Sequence, residues 1–189
     1  MQLDDIRKLA QAAKGNINKI YIHWTAGHYG QQFNDYHILV DKDGSLYATV
    51  DDLTTHLNHT YMRNTGAVAI GVLCAYQAHS TDNLGEEPPT DAQIEAIAQV
   101  IAVLAEELEI NIDIQHVMTH AEAANNLDGY NPGYEDNGCV NGIYGPTPKP
   151  DGSPGGTTER WDFLVVKAGD KLWSGGDTLR GKAIYYLNH

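Results

Sequence analysis

Residues 67–75 read Ala-Val-Ala-Ile-Gly-Val-Leu-Cys-Ala, an apolar run without a charged or hydrogen-bonding side chain other than one thiol. Such a run is too short to cross a membrane and lacks the alternation of a half-exposed strand. It predicts a central strand buried on both faces. A strand of that kind needs neighbouring strands on its edges and helices over its faces, and the rest of the chain has to supply them.

The clearest covering helix opens at Pro88-Pro89-Thr90. Thr90 and Gln93 have the spacing of a capping box, and Ile94, Ile97, Ile101, Leu104 and Leu108 form a stripe at helical period through about residue 109. Residues 4–14 read as a second, amphipathic helix with Ile6, Leu9, Ala10 and Ala13 on one side and Gly15 as its stop. Residues 19–25 read as a strand whose alternation places Tyr21, His23 and Thr25 on one face. Ile20, Ile22 and Trp24 then point to the core. Two apolar runs around Asp41-Lys-Asp-Gly44 predict a hairpin over 36–50. Residues 112–119 read as a strand ending at His120, followed by a short helix over 121–125; residues 178–187 read as a final helix.

Strands interleaved with helices in 189 residues, 42% of them apolar, predict an α/β fold in one domain, residues 1–189: a central mixed β-sheet flanked by helices. Residues 127–158 break the pattern. They hold five of the seven prolines and eight of the 19 glycines, the composition of a long Gly/Pro-rich loop. Irregular segments of that length are usually functional or disordered. This one separates two of the candidate ligands named below and is expected to wall a substrate groove. Residues 166–189 follow as a C-terminal extension.

The formal net charge is −13, which argues against nucleic acid and anionic membrane as partners, since both are bound through Lys and Arg; membrane insertion is not expected either. The N-terminal residues carry early acids and no apolar core, so no signal peptide is expected, and no stretch has the length of a membrane span. Of the two cysteines, Cys74 lies in the central apolar run and Cys139 in the Gly-rich loop. A disulfide between them is neither required nor excluded.

Three residues stand out as metal-ligand types in similar settings. His23 lies in Tyr-Ile-His-Trp-Thr-Ala-Gly, His120 in Val-Met-Thr-His-Ala-Glu-Ala, and Asp162 in Arg-Trp-Asp-Phe. Each follows or ends a short apolar run, where a strand delivers a side chain to the rim of a sheet. Two neutral imidazoles and one carboxylate leave one position open on Zn2+, the arrangement of a catalytic site and not of a closed structural one.

Together with residues 36–44 and 69–72, these segments occur in an order that resembles the zinc-dependent N-acetylmuramoyl-L-alanine amidases, the type 2 amidase and peptidoglycan-recognition-protein superfamily. The resemblance runs from about residue 18 to about residue 165. It implies the same α/β sandwich, one Zn2+ held by His23, His120 and Asp162, and peptidoglycan as partner. Tyr36 matches the family tyrosine beside the metal. Arg160 stands where the family has a lysine, so it can stabilise an oxyanion but not donate a proton near neutral pH. Leu73 stands where many relatives carry a glutamate. Glu122 is a candidate general base or second acceptor behind the ligands, and His59 and Asn64 are candidates for lining the substrate groove. Cys139 is a rival third ligand. His37, His56, His79 and His116 are read as structural or surface residues.

The activity implied is hydrolysis of the amide between N-acetylmuramic acid and L-alanine by a monomer acting on the cell wall after release through a holin or a secretion system. An endolysin and an antibacterial effector both fit. A non-catalytic recognition module, or a zinc hydrolase of a related muropeptide amide, are the alternatives.

Overall fold

The computed structural model describes residues 1–130, 132 and 160–189. Helix α1 (Leu3–Ala13) leads to strand β1 (Lys19–Trp24), then to β2 (Ile38–Val40) and β3 (Leu46–Ala48), which form the hairpin, and to β4 (Ala67–Val72). Helix α2 (Asp91–Leu108), strand β5 (Val117–Thr119), helix α3 (His120–Ala124) and helix α4 (Gly175–Asn188) complete the order. The sheet runs β3-β2-β4-β1-β5, with the hairpin pair antiparallel and the other pairs parallel. The architecture is therefore the mixed sheet flanked by helices that the sequence predicts.

All six residues of β4 are buried, as a strand at the centre of the sheet requires. On one face lie Ile20, Ile22, Val68 and Ile70 with the apolar sides of α1, α2 and α4. Burying an aliphatic side chain of this size contributes about 1.5–3 kcal/mol, so this layer is the main source of stability. Helix α2 buries Val100 and Val103 in addition to the predicted stripe, because α1 and α4 pack along it. Its capping box forms as expected, and Gln93 does more than cap. The Gln93 amide nitrogen donates to the carbonyls of Val40 (3.2 Å) and Leu73 (3.0 Å), tying the start of α2 to the ends of β2 and β4.

Two differences from the sequence reading have clear causes. The polar face expected for β1 is covered as well: Tyr21 packs with Ala67, Met118 and Ala123 in a second, smaller cluster. Strand β5 is only three residues long, because the Asp113 carboxylate accepts from the backbone N–H groups of Gln115 (2.9 Å) and His116 (3.1 Å). That local turn takes these two N–H groups from the sheet ladder, although the His116 carbonyl still accepts from Ile20 N of β1. The 127–158 loop falls almost entirely outside the described residues, as does Cys139. Cys74 is buried and free.

Candidate metal centre

Parallel pairing of β1 with β5 sets Ile22 opposite Thr119. One residue further along both strands, His23 and His120 emerge side by side. Helix α3 begins at His120, and its N-terminus is closed by a second capping box, with Glu122 N donating to Thr119 Oγ1 and Thr119 N donating to Glu122 Oε1. Asp162 arrives from a segment anchored by its neighbours. Trp161 packs edge-on against Trp24 at 4.8 Å between ring centroids, Phe163 lies 5.6 Å from the same indole, and Ala121 N donates to Asp162 O.

The donor atoms form a compact triangle. His23 Nδ1 and His120 Nδ1 are 3.0 Å apart, and Asp162 Oδ2 lies 3.5 Å from the first and 3.4 Å from the second. Zinc ligands at about 2.0–2.1 Å in tetrahedral directions stand about 3.3 Å apart, so these edges fit three vertices of such a shell. It is the one group of three or more His, Cys, Asp or Glu side chains among the described residues with donor atoms this close. Electrostatics favours the same protonation state. Burial, with the neighbouring His120, lowers His23 to about 4, so its imidazole is neutral at pH 7. Burial alone would raise the Asp162 carboxyl, but His120 and then His23 outweigh it and hold it well below the usual carboxylate range.

Tyr36 stands over this triangle, its ring centroid 5.2 Å from that of His23. The central strand makes room for it at Gly71, where a Cβ would lie 2.5 Å from Tyr36 Cδ2. Burial, then the charges of Asp162 and Asp35, push the phenol up from its ordinary value, so it is a hydrogen-bond donor. Tyr36, His120, Arg160 and Asp162 line a cleft of about 520 Å³ together with Trp24, Ala26, Ala75 and Gln77. Four residues on this wall, Ala26, Ala75, Gln77 and Arg160, hold left-handed backbone at φ 54–68°. Each costs about 1–3 kcal/mol, and such positions concentrate at functional sites.

The remaining candidates lie elsewhere. Both Glu122 oxygens are engaged by Arg180, at 2.9 and 2.8 Å, and the side chain does not line the cleft. Asn64 directs its side-chain oxygen to the backbone N–H groups of His59 (3.1 Å) and Thr60 (2.8 Å). The His59 ring lies 5.4 Å from that of His23, edge to face, and its Nε2 is buried without a hydrogen-bond partner. His37 has a framework role, with Nε2 donating to Thr55 O and Nδ1 accepting from Ala69 N. Leu73 is fully buried. Thr60 and Arg180 were not singled out by the sequence. The Thr119–Glu122 spacing was a legible cap signal, but nothing local marks Thr60 or pairs Glu122 with a residue 58 positions away.

An α/β sheet that brings two histidines from the ends of parallel strands and an aspartate from a following segment within ligand distance of one another, beside an open cleft, defines a candidate metal site. The chain belongs to the N-acetylmuramoyl-L-alanine amidase family, whose sequence profile matches residues 13–134, well over half of the chain. The matched residues include His23, Tyr36 and His120; Asp162 lies beyond them. Among solved structures the chain is similar to the endolysin amidase LysCS from Clostridium intestinale URNW, at 18% identity over 57% of this chain and 71% of that one, with a TM-score of 0.44. It is also similar to the Ph2119 endolysin of a Thermus scotoductus MAT2119 bacteriophage, at 16% identity over 57% and 73%, with a TM-score of 0.45. A third similar structure is the Drosophila peptidoglycan recognition protein SA, at 16% identity over 56% and 69%, with a TM-score of 0.40. No curated protein sequence gives a significant match.

Proposed function

We propose that this chain is a zinc-dependent amidase that cleaves the bond between the lactyl group of N-acetylmuramic acid and the L-alanine of the stem peptide in peptidoglycan. The observation that carries the reading is the donor triangle of His23, His120 and Asp162, with edges of 3.0–3.5 Å, at one side of an open cleft in a chain of this family. Bound there, zinc supplies Lewis acidity and a water that ionises near pH 7 instead of about 15.7.

This chain's own residues have separate tasks in that reaction. His23 and His120 would offer Nδ1 lone pairs and Asp162 one carboxylate oxygen to hold the ion. Tyr36, held protonated, donates a hydrogen bond to the carbonyl oxygen as negative charge develops on it. Arg160, also in the cleft lining, brings a permanent positive charge to the same oxyanion. The proton lost by the attacking water accompanies the departing amine. His59 lies near enough to His23 to contribute to the groove, whereas Glu122 serves the scaffold that carries His120.

The setting is a bacterial cell wall, reached as an endolysin or as an antibacterial effector. No described helix is long and apolar enough to cross a membrane. The reading is tested by digesting purified sacculi and identifying the products by mass spectrometry, with and without a chelator. Free stem peptides beginning with L-alanine, abolished by chelation and by His23→Ala and restored by zinc in the wild type, are expected. Stoichiometric zinc without cleavage would instead favour the recognition module, and a folded protein that takes up no zinc would remove the metal centre.

A further inference from the structure

His23 is 1% exposed, and both ring nitrogens have neighbours. Nδ1 faces His120 and Asp162, while Nε2 lies 3.2 Å from Thr60 Oγ1. Thr60 is itself 3% exposed, and its hydroxyl is 2.8 Å from His59 Nδ1. The turn that carries Thr60 is pinned twice. Asn64 Oδ1 accepts from the N–H groups of residues 59 and 60, and Arg63 is bound through both terminal nitrogens to the Asp128 carboxylate at 2.7 and 3.0 Å. None of the turn residues 59, 60, 63 and 64 lines the cleft, yet the turn delivers a hydroxyl to Nε2 of His23.

We infer that Thr60 is a positioning residue for the metal centre: its hydroxyl accepts the Nε2 proton of His23 and thereby presents Nδ1 to the site. The inference rests on the reading of His23, His120 and Asp162 as ligands. A neutral imidazole that uses Nδ1 as a ligand carries its proton on Nε2, and the partner of that proton fixes the ring's tautomer and orientation. Among the described residues, Thr60 Oγ1 is the one hydrogen-bond partner that Nε2 has. Without it a buried N–H is left unsatisfied in the metal-loaded protein.

The hydroxyl in turn gives its own proton to His59 Nδ1, so the chain of donors runs from His23 through Thr60 to His59. With Nδ1 accepting, the His59 proton sits on Nε2, the nitrogen that is buried without a hydrogen-bond partner. Asn64 belongs to the same device. It fixes the backbone from which the hydroxyl projects, through an amide oxygen that accepts from two consecutive N–H groups.

Zinc affinity measured by competition with a chromophoric chelator, together with the visible spectrum of the cobalt-substituted protein, tests this without reference to turnover. Thr60→Val keeps the shape and deletes the acceptor, and is expected to weaken zinc binding by about 10–100-fold. It should also shift the cobalt bands. Thr60→Ser keeps the hydroxyl and is expected to retain wild-type affinity and spectrum. Should the valine variant not fold, Thr60→Ala carries the same expectation. Wild-type affinity in a folded Thr60→Val or Thr60→Ala protein would overturn the inference, as would equal weakening in the serine variant. A wild-type protein that binds no zinc fails at the earlier reading, and is told apart by being the parent.

Discussion

Tyr36 shows how one side chain acquires a role from its neighbours. Its ring occupies the space that Gly71 leaves on the central strand, and its hydroxyl is kept protonated by burial first and by Asp162 and Asp35 after it. A donor aimed at a developing oxyanion typically contributes about 10²–10³ in kcat. Tyr36→Phe is therefore expected to lower kcat by about that factor on a soluble muropeptide, with bound zinc unchanged; an unaltered kcat would exclude the tyrosine from the transition state. At this scale the sequence was informative about residue types and less so about direction. The frames around His23, His120 and Asp162 identified three residues whose donor atoms come within 3.5 Å of each other. Asn64 and Glu122 were legible as polar groups near the site, but their oxygens are turned to backbone N–H groups and to Arg180. That depends on turn geometry and on a distant partner, neither of which a local motif contains.

The elements that hold His120 extend further than the motif around it. Helix α4 packs on α2 and β5, and its Arg180 reaches across to Val117 O at 2.8 Å and to both Glu122 oxygens. Glu122 and Arg180 are 4% and 6% exposed, so the pair is a buried one. Gly176 permits it, since a Cβ there would lie 2.1 Å from Glu122 Oε1. Removing one partner of a buried, hydrogen-bonded pair leaves an uncompensated charge and costs about 3–5 kcal/mol. Arg180→Met is thus expected to lower the free energy of unfolding in urea by about that amount, and a loss under about 1 kcal/mol would show that the pair is solvated in solution. Helices α1 and α2 were legible from their apolar spacing and the hairpin from its turn, and a final helix was expected over 178–187, within the observed α4. The length of β5 was not, because one Asp113 side chain outcompetes the ladder for two N–H groups.

For the molecule as a whole, the order of strands and helices was enough to give the sheet and its flanking layers, while the convergence of residues 23, 60, 120, 162 and 180 required the assembled topology. That convergence has a thermodynamic consequence, because it buries imidazoles. Burial lowers His23 to about 4 and His59 to about 2, with neighbouring histidines adding to both, and it lowers His37 as well. Unfolded, the same rings take up a proton near pH 6.5. Below that value the unfolded chain binds more protons than the folded one, so folding stability falls as pH drops. The stability these groups contribute is complete above about pH 6.5 and is lost progressively down through their folded values. Asp162, held below its ordinary range, adds a further loss as pH falls below about 4. Zinc steepens the dependence, since it binds only unprotonated imidazole and stabilises the folded state by about 2.7 kcal/mol when present at 100 times its dissociation constant. Urea unfolding of the metal-free protein at intervals from pH 7.5 to 3.5 is expected to show a midpoint that falls steadily below about pH 6.5. The same series with excess zinc should start higher and converge on the metal-free curve as the pH falls through about 4, the folded value of His23. A zinc increment that persists undiminished at about pH 3.5 would mean that the ion is held by groups other than these histidines.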